Sequence, residues 1–143
     1  MIQDSLKVRM HHEKNLESLL KNLNPSASDD SFVFCTISVL PESEKLVALD
    51  PWAIIKEEEG ITLILEMERA DSFGFHYESI YGKITLQVYS SLDAVGLSAV
   101  IAANLADAGI SANIVAGYHH DYIFVPKAKL ETALNVLRGM QCS

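Results

Sequence analysis

From Leu16 the apolar residues Leu16, Leu19, Leu20 and Leu23 recur at helical spacing until Asn24-Pro25, which predicts one amphipathic helix at the start of the fold. Ser26–Ser31 is polar and reads as a loop. In Phe32–Leu40, Val33, Cys35, Ile37 and Val39 alternate with Phe32, Phe34, Thr36 and Ser38, the period of two expected of a strand. Pro41–Pro51 carries neither period and reads as irregular. Trp52–Lys56 and Ile61–Met67 flank Glu57-Glu58-Glu59-Gly60, which makes them the arms of a hairpin, and a short helix is expected at Glu68–Phe73.

The second half is more regular. Ile84, Leu86 and Val88 alternate with Thr85, Gln87 and Tyr89 in a strand that Ser90-Ser91 ends. Asp93 is the expected N-cap of a helix whose apolar stripe runs through Leu97, Val100, Ile101, Leu105 and Ala108 and which Gly109 terminates. Ala112–Tyr118 and Tyr122–Pro126 read as strands joined through His119-His120-Asp121, and Leu130, Leu134 and Leu137 mark a last helix closed by Gly139. The order is β-α-β-β-α. Ile54-Ile55 and Leu63-Ile64-Leu65 reappear as Ile114-Val115 and Ile123-Phe124-Val125 at a uniform offset of 60 residues. The hairpin therefore occurs twice, and the chain reads as two abbreviated βαββα units in an α+β fold, with antiparallel sheets and helices on one face. The expected division is residues 11–78, an N-terminal helix plus a shortened half, and residues 79–143, the fuller half.

A length of 143 residues suits one ordinary domain or two very small ones. With 49% hydrophobic and 21% charged residues there is enough apolar surface to offset chain entropy. Eleven basic against nineteen acidic residues give a net charge of -8, which disfavours partners with a phosphate backbone, so nucleic acid is not an expected partner. Cys35 and Cys142 do not make a disulfide framework and suit a cytoplasmic protein. No apolar run approaches the ~20 residues of a membrane span. Met1–Arg9 lacks the order of a signal peptide, and Met10 before His11-His12-Glu13 is a second candidate start, which would make the first nine residues an optional extension.

Two segments hold candidate chemistry. Ser90-Ser91-Leu92-Asp93-Ala94-Val95-Gly96 is a strand-to-helix turn whose hydroxyls and free helix N–H groups suit a carboxylate, although a capping Asp93 and a packing Gly96 would explain the same residues. Gly117-Tyr118-His119-His120-Asp121-Tyr122 is dense in polar and aromatic groups between two apolar strands. It reads as a solvated hairpin tip, a pocket wall or a metal site, and the metal reading is the weakest because adjacent strand residues point to opposite faces. Glu57-Glu58-Glu59 and Asp50-Pro51-Trp52 read as turns, His11 and His12 as part of a polar helical stretch, and His76 and Tyr77 as part of the crossover from Gly74 to Gly82. No dinucleotide fingerprint, phosphate loop or Gly-x-Ser-x-Gly elbow is present, so no cofactor and no catalytic residue is expected.

Ser91-Leu92-Asp93-Ala94-Val95-Gly96-Leu97, followed by Leu105-Ala106-Asp107-Ala108-Gly109-Ile110-Ser111-Ala112-Asn113, resembles an ACT domain, a βαββαβ ferredoxin-like module that regulates amino-acid metabolism by binding small ligands. Ala116–Pro126, together with Phe32–Thr36 and Glu59–Leu63, is similar to small stand-alone bacterial proteins built from two ACT-like halves. Most ACT domains carry proline before the turn glycine, where this chain has Val95. The resemblance implies a ligand at an interface between ACT modules, touched by Asp93, Val95, Gly96 and Leu97 on the turn and by Asn113, Ile114 and Val115 on the adjoining strand. If that ligand is an amino acid, its ammonium needs an acid such as Asp93 or Asp121. The expectation is a non-catalytic amino-acid-binding sensor, working as a homodimer. Its competitors are a small metal-dependent enzyme built on His119, His120 and Asp121, and a structural oligomerisation adaptor.

Overall fold

The computed structural model describes residues 15–142. Met1–Arg9, the candidate start at Met10, and His11 and His12 lie outside the described residues. The chain forms two compact units: residues 28–83 make one, and the stretches up to Ala27 and from Ile84 onward make the other.

In the unit of residues 28–83, β4 (Ile61–Glu66) pairs antiparallel with β2 (Phe32–Ile37) on one side and with β3 (Ala53–Lys56) on the other. The start of β5 (Tyr81–Leu86) joins β2 through the pair Phe32–Tyr81. Alternate residues Val33, Cys35, Leu63 and Leu65 are buried together with Leu49 of helix α2 (Ser43–Leu49) and Ala70 of helix α3 (Met67–Ser72). Helix α2 corrects the irregular reading of residues 41–51. It makes only about two turns, so Leu46 and Leu49 are too few to show a period, yet Leu49 is fully buried. Asp50 closes it in the left-handed conformation, φ 44°, donating its N–H to the Leu46 carbonyl at 3.1 Å.

The other unit opens with α1 (Leu16–Lys21), where Asn15 Oδ1 accepts the Ser18 N–H at 3.1 Å as an N-cap. Leu19 and Leu23 are fully buried with residues of α4 (Leu97–Asp107) and α5 (Leu130–Gln141). Pro25, read from sequence as part of the helix stop, and Ser26-Ala27, read as the start of a loop, form the short strand β1 and pair with Ile84–Leu86 of β5. A three-residue strand is too short to show alternation. The sheet continues from β5 to β7 (Asp121–Pro126) and β6 (Asn113–Ala116). Ile84, Leu86, Val88, Ile123 and Val125 meet Ile101, Leu105, Leu134 and Leu137 in its core.

Three further readings of this unit are corrected. The β5 ladder begins at Tyr81 and ends at Leu86, although the in-out alternation persists to Ser90. Gly96, at φ 99°, occupies the N-cap of α4, and no side chain caps that helix, so Asp93 does not. Helix α5 runs through Gly139 to Gln141 because Leu137 and Met140 still have core to cover.

The repeated hairpin is exact in register. Ala53–Ile64 through Lys56–Ile61 reappears as Asn113–Phe124 through Ala116–Asp121, an offset of 60 residues. Both turns close alike: Glu57 N–H donates to Gly60 O, and Gly117 N–H to His120 O, each at 2.9 Å. The fold is α+β, with antiparallel strands and helices in two ferredoxin-like halves. The first is abbreviated: α2 and α3 have seven and six residues where α4 and α5 have eleven and twelve.

Candidate ligand site

Along β5 and its extension the inward series Ile84, Leu86, Val88 ends in Ser90, and along β7 the inward series Val125, Ile123 ends in Asp121. Two polar side chains thus occupy positions that the strand pattern reserves for the core. They are the buried polar residues among those described, exposed by only 7% and 6%, and Ser90 Oγ donates to Asp121 Oδ2 at 2.8 Å. A buried carboxylate is costly without such partners. No other side-chain hydrogen bond of Asp121 occurs among the described residues, and Asp121 also lines the adjoining cavity.

That cavity has a volume of about 120 Å³. Asp121 and Ser90 form one side of it, and Gly96, Leu97, Ser98 and Ala99, the first turn of α4, form another. The first N–H that the helix itself satisfies is that of Val100, bonded to Gly96 O at 3.0 Å, and no side chain caps the turn. The first turn of α4 holds no acidic residue. One small space therefore joins an uncapped helix N-terminus, which favours an anion, to a buried carboxylate, which favours a cation.

Of the residues expected at a site, Gly96, Leu97 and Asp121 meet at this cavity. Asp93 is exposed and donates its N–H to Ser91 Oγ at 3.1 Å, and Val95 is 84% exposed. Asn113 is exposed on β6, its Nδ2 donating to Phe124 O at 3.4 Å, while Ile114 and Val115 are half-buried on the same strand. Ser90 enters differently from its sequence reading: its hydroxyl is turned to Asp121. The signal for both residues was an apolar alternation ending in a polar member on two strands. Ser91, Leu92 and Ala94 of the same turn also line it, and the small residues Ser98, Ala99 and Ala116, which carried no signal, complete the lining.

Around the β6–β7 turn, His120 stacks obliquely on Tyr89 at 5.0 Å and Tyr118 meets His119 edge-on at 5.0 Å, while the two imidazoles stand 6.5 Å apart. Among the described residues no three His, Cys, Asp or Glu side chains are grouped to hold a metal ion. The unit of residues 28–83 has a second cavity of about 350 Å³, where Phe34 and Tyr81 pack edge-to-face at 5.2 Å beside Thr36, Thr62 and Tyr77. Tyr77 is held there by donating its hydroxyl to Asp71 Oδ1 at 2.7 Å. Among the described residues no helix is long and apolar enough to cross a membrane.

A solved structure of a Vibrio cholerae protein of unknown function is 42% identical, with a TM-score of 0.78, covering 90% of this chain and 97% of that one. An Agrobacterium tumefaciens protein shares the fold at 14% identity and a TM-score of 0.66, covering 82% of this chain and 87% of that one. The ligand-free regulatory subunit of aspartate kinase from Thermus thermophilus shares it at 12% identity and a TM-score of 0.59, covering 83% and 97% respectively. No curated protein matches the sequence. Residues 12–82 match one ACT domain family and residues 78–139 a second, so that between them the two matches span nearly the whole chain. The chain belongs to the ACT-domain family.

Proposed function

We propose that this protein is a regulatory module that binds a small free amino acid in the cavity between Ser90–Asp121 and the start of α4. The observation that carries the reading is the pairing, across one small space, of an uncapped helix N-terminus with a nine-tenths-buried carboxylate. An α-amino acid presents the complementary pair at fixed separation. Its carboxylate accepts from the N–H groups of the first helical turn, and its ammonium donates to Asp121 Oδ1, while Ser90 keeps Oδ2 occupied and the carboxylate oriented. At about 120 Å³ the cavity is somewhat smaller than the ~150 Å³ engineered cavity that accepts benzene, which favours side chains of one or two heavy atoms. Membership of the ACT family supports ligand-dependent regulation in preference to catalysis.

Titration calorimetry against the twenty amino acids tests this directly. Binding is expected for small members such as glycine, alanine and serine, and Asp121→Asn is expected to weaken it by about 1.5 to 3 kcal/mol, one charged hydrogen bond. Failure of every amino acid to bind would remove the reading. The same module is expected to work as a homodimer, because strand edges such as β3 and β6 are managed by pairing in soluble proteins. Light scattering at micromolar concentration checks this, and a monomer would count against it.

A further inference from the structure

We propose that ligand recognition is confined to the second half of the repeat, so that each chain takes up one amino acid and not two. This rests on the amino-acid reading of the Ser90–Asp121 cavity. The exact repeat of the hairpin allows the two halves to be compared position by position. The residue 60 before Asp121 is Ile61, which stands opposite Ile37 in the β2–β4 ladder and packs with it against the core of its unit. Where the second half sets a hydrogen-bonded serine and aspartate, the first half therefore sets two isoleucines. An ammonium group brought there would lose its water and gain no acceptor.

The helix starts differ in the same sense. Helix α2 has Glu42 at its N-cap and Glu44 in its first turn, and is only seven residues long. Two carboxylates there repel the carboxylate of a ligand. Helix α4 has glycine at its N-cap and no acidic residue in its first turn, and runs for eleven residues. The connection ahead of it, residues 87–96, leaves room for a cavity, whereas residues 38–42 take the chain directly from β2 to α2. Both recognition elements are present in one half and both are replaced in the other, each by the residue type that opposes it. The larger cavity beside Phe34 and Tyr81 does not restore a site of this kind, since its lining includes no helix start.

Calorimetry of the intact chain with glycine, alanine and serine as probes decides the matter. One site per chain is expected for whichever of them binds, with at least tenfold weaker affinity in Asp121→Asn and in Ser90→Ala, and with Glu42→Gln within twofold of the parent. The two cavity variants guard against misfolding of either one, and thermal unfolding of each is recorded alongside. Two sites per chain, or one site that responds to Glu42→Gln and not to Asp121→Asn or Ser90→Ala, would overturn the confinement and leave the amino-acid reading standing. No binding by any of the twenty amino acids would overturn both.

Discussion

Asp121 and Ser90 show how much one hydrogen bond can indicate at the scale of single residues. A carboxylate exposed by only 6%, bonded through one oxygen to Ser90 and lining a cavity, is a feature that stability alone would replace with valine. This part of the site was legible in the sequence only as an interruption of alternation. Asp121 could be picked out as an acid near a turn, but that it faces the first turn of α4 depends on a pairing between distant strands, which no local pattern records. Cys35 offers an independent check at the same scale. It is 4% exposed on β2 and burial pushes its thiol pKa above the ordinary value, whereas Cys142 is exposed near the end of the chain. Iodoacetamide at pH 8 is therefore expected to modify Cys142 and to reach Cys35 only after denaturant is added, as read by intact mass. Prompt labelling of both would show that β2 is open. The sign of the linked stability follows: burial holds the folded thiol above its unfolded pKa, so the contribution of Cys35 is complete below the unfolded value and declines as pH rises from there through the folded one.

Among the elements, the second half was largely readable because its helices are long enough to show a stripe and its strands long enough to alternate. Helix α2 and strand β1 were not, since seven and three residues are held by a single buried Leu49 and by a ladder to residues far along the chain. Glycine placement gives a quantitative test. Gly139 lies within α5, and a Cβ there would meet nothing within 4 Å, so Gly139→Ala is expected to stabilise the protein by about 0.5 to 1 kcal/mol through helix propensity. At Gly117 a Cβ would come within 2.9 Å of His120 O and 3.1 Å of the Tyr122 ring, so Gly117→Ala is expected to destabilise by about 1 to 3 kcal/mol. Gly60, whose Cβ would come within 2.9 Å of Ile37 O, should behave like Gly117. Denaturant titration of the three variants checks the order. A destabilised Gly139→Ala would mean that the last turn of α5 is not helical in solution.

For the whole molecule, the two compact units and the two halves of the repeat divide the chain differently. The core of the second half includes Leu19 of α1 and Leu23 just after it, each contributing about 1.5 to 3 kcal/mol on burial, so a fragment of residues 79–143 would lack a share comparable to the total stability of a small domain. That fragment is expected to give no sigmoidal thermal transition by circular dichroism. A cooperative transition in the fragment would show that α1 is dispensable. The unit that owns α1 departs from its sheet at Ala27 and returns at Ile84, and those two residues face each other as partners in the β1–β5 ladder. Topologically, residues 28–83 are therefore a guest spliced into a hairpin, entering and leaving through adjacent doors. Excising them and joining Ala27 to Ile84 with an Asn-Gly turn would leave β1 and the remaining residues of β5, Ile84–Leu86, as an ordinary two-stranded hairpin, and would remove no residue of the buried cluster that runs from Leu19 to Met140. The same adjacency means that a chain of this kind can gain, lose or exchange its first half in one genetic step, while the half that holds Ser90 and Asp121 keeps its sheet.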